Sequence, residues 1–278
     1  MRELSAAGVD SVMLSWWGQA DKDLRRDSQG VSTDELVPTV LDAAAAAGVG
    51  VSWHMEPYGG RTPATVLEDL RYLHDKYGRH PAVWRHQGRP LVWLYDVSAE
   101  HSGETPAKQR AAREEWARVM RELRGSPADS TVLSLLVDAR DPEFVQQCGF
   151  DGAYSCPTSR SNSGIAWMPL PHRVSRSISL AGADFSSRGF THGSTTENWA
   201  ALHRAMAASG KVFVPSVGPG YNDTLIRPWN AQATKPRQDG AYYDGMWSAA
   251  IDIPSSIVTV TSFNEWGEGM CDWHSQRA

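Results

Sequence analysis

The chain has 278 residues, a formal net charge of −5 and 41% hydrophobic residues, which is enough material for one large α/β domain or two ordinary ones. An acidic balance without a basic stripe argues against nucleic acid as a partner. No stretch reaches the roughly 20 apolar residues that a membrane-spanning helix needs, and the first residues do not predict a signal peptide.

Helix-like and strand-like segments alternate through most of the chain. The predicted strands are β-branched and apolar runs, and several predicted helices begin near proline or end at glycine. The predicted helices cover 1–7, 34–47, 63–77, 108–123, 141–147, 195–209 and 242–251, and the predicted strands cover 8–17, 49–58, 90–96, 131–138, 149–155, 211–221 and 257–263. Repeated strand–helix units of this kind predict a parallel sheet with right-handed crossovers.

The predicted strands number seven, one fewer than the eight of a (β/α)8 barrel. We therefore predict an α/β fold, a TIM-type barrel in a single domain over 1–278 that lacks its first strand and its C-terminal end. Residues 156–184, rich in proline, serine and arginine, interrupt the alternation. Because structureless loops of about 30 residues are rare in compact domains, we predict an insertion foreign to the fold there. Residues 270–278 are predicted to form an atypical tail.

Polar and aromatic residues follow the strands at their C-terminal ends, where parallel α/β proteins build their ligand sites. They include Trp16, Trp17, His54, Glu56, Tyr58, Tyr95, Asp96, Asp138, Asp151, Tyr154, Arg227, Trp229, Glu265 and Glu268. Carboxylates accept hydrogen bonds from pairs of sugar hydroxyls, and aromatic rings offer flat apolar faces to sugar C–H groups. The residue types therefore indicate a carbohydrate site.

Glu265 and Glu268 directly follow the last predicted strand. Two glutamates whose surroundings push their pKa values apart can divide the acid and base roles, as they do in most glycosidases. Trp266 supplies an apolar wall between them, and Gly267 allows the backbone to approach a ligand closely. On spacing alone, a solvated loop that contains two acids is the alternative.

Other interpretations of the strand-end residues stay open. His54 and Glu56 could begin a metal site, but no second histidine pair follows at ligand spacing, so we predict no metal. His54 could also be a structural histidine that bonds a neighbour. Arg227, which precedes Pro228, could simply order its own loop.

Three motifs together resemble glycoside hydrolase family 99, the endo-α-1,2-mannosidases. They are His54-Met-Glu-Pro-Tyr58, Val214-Pro-Ser-Val-Gly-Pro-Gly-Tyr-Asn-Asp-Thr-Leu-Ile-Arg-Pro-Trp-Asn230 and Thr261-Ser-Phe-Asn-Glu-Trp-Gly-Glu-Gly269. The similarity covers about residues 1–155 and 185–269. Three long motifs in the family's order make a chance match improbable.

The resemblance implies a (β/α)8 barrel that cuts glucosylated high-mannose N-glycans internally, with retention of configuration and without metal or cofactor. It implies that Glu265 is the base that deprotonates the mannose 2-hydroxyl, giving a 1,2-anhydro sugar, and that Glu268 is the general acid/base. By the same match Trp17, His54, Glu56, Tyr58 and Arg227 would bind the substrate. We add Tyr154 and Trp229 as candidates.

The resemblance further implies an N-glycan partner and a place on the lumenal side of the Golgi membrane, held by a type II anchor that this sequence does not contain. Two alternatives to the hydrolase stay open. One is a catalytically inert or glycan-binding isoform of the same family, which the missing strand favours. The other is a barrel glycosidase that acts on another polysaccharide.

Overall fold

The computed structural model describes residues 1–21, 27, 30–95, 97, 105–136, 141–155, 195–226, 228, 234–264 and 267. The chain divides into two compact units. The first unit comprises Met1–Glu100, Glu104–Leu135 and Phe144–Gly152, and the second comprises His101–Gly103, Leu136–Glu143 and Ala153–Ala278.

A parallel sheet forms the centre of the first unit. Its strands are β1 (Ser11–Trp16), β2 (Gly50–Met55), β4 (Arg89–Leu94) and β5 (Thr131–Leu135), adjacent in that order, and β3 (Arg85–His86) pairs antiparallel with β4. In the register, Met55 lies opposite Trp16 on one side and Leu94 on the other. The C-terminal ends of β1, β2 and β4 therefore lie side by side.

The helices of the first unit alternate with its parallel strands, as predicted. They are α1 (Arg2–Ala6), α2 (Val37–Ala47), α3 (Pro63–Tyr77), α4 (Pro106–Leu123) and, for the part from Phe144 onward, α5 (Asp141–Cys148). The side chain of Thr62 caps α3 by accepting a hydrogen bond from the Thr65 N–H, and Pro63 occupies the first turn. At the end of α2, Gly48 takes the left-handed conformation with φ 68°.

The core of the first unit follows from the alternation of side chains along β2. Val51, Trp53 and Met55 are buried on one face of the strand, and the Trp53 ring lies 5.9 Å from the ring of Tyr77 on α3. Ser52 and His54 point to the opposite face, because successive side chains of a strand alternate. The strand thus uses one face for packing against α3 and presents His54 on the other.

A charge network lies at the N-terminal ends of β4 and β5, away from the predicted site. Asp151 accepts hydrogen bonds from Arg124 Nη2 at 2.5 Å, from Arg89 Nη2 at 2.9 Å and from the Val132 N–H at 2.8 Å. These bonds join the starts of two strands to the residue that precedes the next one. The network therefore stabilises the N-terminal ends of the strands. The prediction that Asp151 belongs to the carbohydrate site was wrong, because this residue precedes β6 and does not follow a strand.

The second unit contains β6 (Gly152–Tyr154, whose last two residues belong to it), α6 (Thr196–Ala207), β7 (Val212–Val214), β8 (Ser216–Val217), α7 (Ala241–Ile251) and β9 (Thr259–Val260). β6 is adjacent to β7, and the Ser155 N–H continues the pairing to the carbonyl of Val214 at 3.0 Å. β8 and β9 pair in parallel, with Ser216 opposite Thr259.

The structure confirms the α/β class, and each of the seven predicted strands has a counterpart. The β3–β4 hairpin was not predicted, and β9 is shorter than the predicted strand over 257–263. Closure of a barrel and the single domain over 1–278 stay predictions. The proposed insertion over 156–184 and the tail over 270–278 lie outside the described residues.

Candidate active site

The ends of β1, β2 and β4 bring three loops together. The Glu56 N–H donates to the carbonyl of Trp16 at 3.0 Å, and the Tyr95 N–H donates to the carbonyl of Met55 at 3.1 Å. Strand pairing thus extends one residue beyond β2 and beyond β4. Trp17, Glu56 and Tyr95 consequently begin three adjacent loops at the same edge of the sheet.

His54, Glu56 and Ser15 form a hydrogen-bonded cluster at this edge, called the strand-end cluster below. Glu56 Oε1 accepts from Ser15 Oγ at 2.8 Å and lies 2.8 Å from His54 Nδ1. The side chains of His54 and Glu56 are 15% and 12% exposed. An ionised carboxylate only accepts, so Nδ1 of His54 donates in this hydrogen bond.

Glu56 is an ionised carboxylate in a buried position. Burial by itself raises the pKa of the Glu56 carboxyl, but the hydrogen bond and charge of His54, the Ser15 hydroxyl and the charge of Arg61 together hold that pKa below its ordinary value. A carboxylate that stays ionised can only accept hydrogen bonds. Glu56 is therefore suited to bind hydroxyl donors and unsuited to supply a proton.

Arg61 and Tyr95 fix the geometry around this cluster. Arg61 Nη1 donates to the carbonyls of Met55 at 3.2 Å and Tyr95 at 2.6 Å, which ties the end of β2 to the end of β4. The rings of His54 and Tyr95 lie 5.4 Å apart at an angle of 50°. A cation and an aromatic ring thus constrain the imidazole and the loop that follows it.

Trp17 follows a strand end that is anchored on α3 through Asp34. Asp34 is fully buried and accepts from the Trp16 indole N–H at 3.0 Å and from Tyr77 Oη at 3.1 Å. The Trp17 N–H donates to Thr33 Oγ1 at 2.9 Å. Both tryptophan residues at the end of β1 are therefore held by the segment that precedes α2.

The charge of Asp34 is compensated locally. Burial raises the pKa of its carboxyl, but hydrogen bonds from Tyr72, Trp16 and Lys76 and the charge of Lys76 more than offset that effect and lower the pKa. Tyr72 Oη donates to Asp34 Oδ2 at 2.5 Å, and Lys76 Nζ donates to the same oxygen at 3.1 Å. Asp34 is thus an ionised anchor for the tryptophan loop.

Tyr58 is directed into the protein. It is 3% exposed, and its hydroxyl donates to Asp69 Oδ2 and lies 3.2 Å from Thr65 Oγ1, both on α3. Gln19 Nε2 donates to the other oxygen of Asp69 at 2.7 Å. The role of Tyr58 as a sugar ligand stays a prediction, and the structure gives its hydroxyl a partner within the fold.

The second unit carries the remaining predicted site residues. Tyr154 is 3% exposed at the end of β6. Arg227, Trp229, Glu265 and Glu268 lie outside the described residues, so their roles stay predictions, and the same holds for the strand-end candidates Asp96 and Asp138. Their neighbour Gly267 is described, and a Cβ added to it would come within 3.2 Å of Ile226 Cγ2.

The long motif over 214–230 also contains a glycine that the structure requires. Gly220 has φ 149°, and a Cβ there would lie 2.9 Å from the carbonyl oxygen of Lys235. This close approach permits the antiparallel bridge between Tyr221 and Lys235, with backbone hydrogen bonds of 2.9 and 2.7 Å. The Tyr221 hydroxyl donates to the buried Asp223 at 2.8 Å.

The described residues contain neither a candidate metal site nor a candidate membrane span. They contain no group of three or more His, Cys, Asp and Glu side chains that could hold a metal ion. Among the helices in the described ranges, none has the length and apolarity to cross a membrane.

Sequence reasoning found His54 and Glu56 but missed Ser15, Arg61 and Asp69. Ser15 lies opposite His54 in the register of β1 and β2, and this pairing cannot be read from either strand alone. A weak signal existed for Ser15, because it lies two residues before Trp17 and so on the same face of β1. For Asp69 the sequence indicated only a residue within the predicted helix over 63–77.

These observations define an α/β protein with a carboxylate and imidazole site at the C-terminal ends of parallel strands. The model of the family described as Glycosyl hydrolase family 99 matches residues 1–168 and 178–272. The chain therefore belongs to glycosyl hydrolase family 99, as the three motifs predict.

Individual relatives agree with the family match. The glycoprotein endo-alpha-1,2-mannosidase of Rattus norvegicus is 34% identical over 97% of this chain and 51% of its own length. The glycoprotein endo-alpha-1,2-mannosidase-like protein of Danio rerio is 34% identical over 97% of this chain and 53% of its own. The chain spans about half the length of the curated relatives that it matches.

Solved structures match the fold as well. The GH99 endo-alpha-mannosidase from Bacteroides thetaiotaomicron is similar with a TM-score of 0.73 and 33% sequence identity, covering 97% of this chain and 67% of that one. Its complex with bis-tris-propane gives the same TM-score and identity, covering 71% of that chain.

Proposed function

We propose that this protein is a retaining endo-α-1,2-mannosidase that cleaves glucosylated high-mannose N-glycans internally. The observation that carries the proposal is the family 99 match, which spans both Glu265 and Glu268. Relatives named endo-alpha-1,2-mannosidase are 34% identical across 97% of the chain. The strand-end cluster supports the proposal, because it supplies an ionised acceptor and an oriented imidazole where parallel α/β enzymes bind their substrates.

In the first step of the proposed reaction, the Glu265 carboxylate removes the proton of the mannose 2-hydroxyl. The 2-oxygen attacks the anomeric carbon of its own ring as the bond to the departing oxygen breaks. Glu268 donates a proton to that oxygen, and the product is a 1,2-anhydro sugar. Glu265 must therefore start ionised and Glu268 protonated, which requires two different environments on one short loop.

In the second step, water opens the 1,2-anhydro sugar at the anomeric carbon. Glu268, now ionised, removes a proton from the water, and the protonated Glu265 returns its proton to the 2-oxygen. Two inversions at one carbon retain the original configuration. Each glutamate ends the cycle in the protonation state in which it began.

In this proposal, three residues of the first unit bind and orient the sugar substrate. Glu56 accepts from sugar hydroxyls in its ionised form, and the imidazole of His54 forms a hydrogen bond with another hydroxyl. The indole of Trp17 provides a flat apolar face for the sugar beyond the cleaved bond. Arg227, Tyr58, Tyr154 and Trp229 are proposed as further substrate-binding residues.

We further propose that the protein acts in the Golgi lumen. The support is the relatives' printed name, which refers to glycoproteins, together with the N-glycan substrate proposed above. Fluorescence microscopy of the tagged full-length gene product against a Golgi marker tests this location. Diffuse cytosolic fluorescence would contradict it.

The variant Glu268→Gln tests the catalytic assignment. The amide keeps the shape of the side chain but cannot transfer a proton, so we expect cleavage to fall by about 10²-fold or more. Affinity for the glycan should change by less than about threefold, because binding does not need the transferable proton. Cleavage is measured by mass spectrometry of released products, and affinity by calorimetry.

The matched control is Glu68→Gln, on the exposed face of α3. It makes the same chemical change outside the site and should leave both quantities unchanged. Equal losses of affinity and turnover in Glu268→Gln would contradict a role as general acid and would favour a structural one.

A further inference from the structure

Asp69 lies in the middle of α3 and contacts two loops of the proposed site. Its side chain is fully buried. One oxygen accepts from Gln19, in the loop after β1, and the other accepts from Tyr58, in the loop after β2. A single helical carboxylate therefore joins the loops that follow Trp17 and Glu56.

Because Asp69 is buried, these two hydrogen bonds contribute strongly to its stability in the folded protein. A buried carboxylate is costly unless its oxygens accept hydrogen bonds, and bonds to a charged acceptor are stronger than bonds between neutral groups. Tyr58 is buried with it, and Thr65 Oγ1 lies 3.2 Å from the Tyr58 hydroxyl. Moving either loop away from α3 would leave part of this carboxylate without its donor.

Gln19, which donates to Asp69, is separated from Trp17 by a single residue, Gly18. The Trp17 N–H is fixed on Thr33, and Gln19 is fixed on Asp69. Gly18 between them has φ 99°, a conformation that glycine adopts readily. With both ends held, the two anchors fix the stretch of backbone that carries the Trp17 side chain.

We propose that Asp69 is a positioning residue that holds the tryptophan loop and the Glu56–Tyr58 loop at a fixed separation. It acts through Gln19 and Tyr58 and does not itself touch substrate. The consequence for sugar binding rests on the proposed function, because it requires Trp17 and Glu56 to bind the same glycan. The proposed effect on the position of the two loops does not depend on the proposed function.

The variant Asp69→Asn removes this double acceptor while keeping its volume. An asparagine is neutral and has one acceptor oxygen, so both hydrogen bonds lose their charge assistance. If its oxygen accepts from Gln19, its NH₂ faces Tyr58, whose hydroxyl must then donate to Thr65 Oγ1 instead. The two loops should therefore be held less tightly against α3. The control is Asp151→Asn, which makes the same change in the charge network at the opposite ends of the strands.

The first measurement follows the indole N–H resonances of protein labelled with ¹⁵N-tryptophan, with Trp17 assigned from Trp17→Phe. Asp69→Asn should shift or broaden the Trp17 resonance in the absence of any sugar, and Asp151→Asn should leave it in place. An unchanged Trp17 resonance in folded Asp69→Asn would overturn the proposal, whatever the enzyme does.

The second measurement is cleavage of a glucosylated high-mannose N-glycan. A misplaced binding loop should raise KM by about tenfold with a smaller change in kcat, since small misplacements of a substrate are costly. Asp151→Asn should lower the melting temperature without raising KM. A fall in melting temperature alone in Asp69→Asn, with KM unchanged, would make Asp69 merely structural and overturn its role in binding.

The two proposals can fail separately. If the Trp17 resonance moves but the unmodified protein neither binds nor cleaves the glycan, the proposed function fails and the positioning role stands. If Asp69→Asn does not fold, Gln19→Leu and Tyr58→Phe each remove one donor and leave the carboxylate. Gln19→Leu should then move the Trp17 resonance, and its failure to do so would overturn the proposal.

Discussion

Glu56 shows how its surroundings decide the chemistry of one side chain. Burial favours the neutral acid, while His54, Ser15 and Arg61 favour the carboxylate and prevail, so the pKa of Glu56 is lowered. The same residue type at 265 and 268 is proposed to do acid and base work. In this proposal, glutamates of one chain take different roles because their neighbours differ.

The lowered pKa of Glu56 predicts how stability depends on pH. A carboxyl whose pKa is lower in the folded than in the unfolded protein contributes stability above the unfolded pKa, here taken as 4.5, and loses it as pH falls through the folded pKa. The free energy of unfolding of the unmodified protein should therefore exceed that of Glu56→Gln most clearly above pH 4.5. The excess should shrink in more acidic solution.

Urea unfolding of both proteins across the acid range measures this difference. The variant Ser15→Ala is a graded control, because it removes one donor to Glu56 and leaves His54 in place. It should show a smaller loss in the same direction. A difference between the unmodified protein and Glu56→Gln that grows as the solution becomes more acidic would contradict the ionised state of Glu56.

The sequence predicted those residues of the first-unit site that lie close together along the chain. His54 and Glu56 are two residues apart at a strand end, so their common face follows from the alternation of side chains. Asp69 could not be found this way, and alternation gave only a weak signal for Ser15. Their contacts depend on which strand pairs with which and on how α3 rotates against the sheet, and these are properties of the tertiary structure.

Among the secondary-structure elements, capping signals in the sequence located the helices well. The short hairpin was not predicted. α3 begins and ends at the predicted residues, because Thr62 and Pro63 specify its start. The β3–β4 hairpin was missed, because its strand pairing involves few residues and its turn, Gln87-Gly88, lacks the asparagine or aspartate typical of such turns.

That hairpin supplies a prediction about stability. Gln87 has φ 51° and Gly88 has φ 81°, which is the pattern of a type I′ turn. Asparagine tolerates the left-handed conformation better than glutamine, so Gln87→Asn should raise the free energy of unfolding by about 0.5 kcal/mol. Urea denaturation measures the change.

A β-branched residue at the same position provides the control. Gln87→Val should lower the free energy of unfolding, because a β-branched side chain opposes positive φ. Equal stability of the asparagine and valine variants would contradict the turn type and hence the register of β3 on β4.

At the scale of the whole molecule, the α/β class and the family follow from the order of motifs along the chain. Alternating strands and helices predicted a parallel sheet, and the described strands of the first unit confirm it. Family membership rests on long segments that match across most of the chain. Closure of the barrel involves the relation between distant segments, which local periodicity does not encode.

The central claim is that this protein cleaves within the α-1,2-linked mannose branch of a glucosylated N-glycan. The most direct measurement is incubation of the purified protein with that glycan and mass spectrometry of the products. We predict release of a glucosyl-mannose disaccharide, which is lost in both Glu265→Gln and Glu268→Gln. A folded protein that binds the glycan and releases no disaccharide would contradict the claim and favour a glycan-binding protein of the same family.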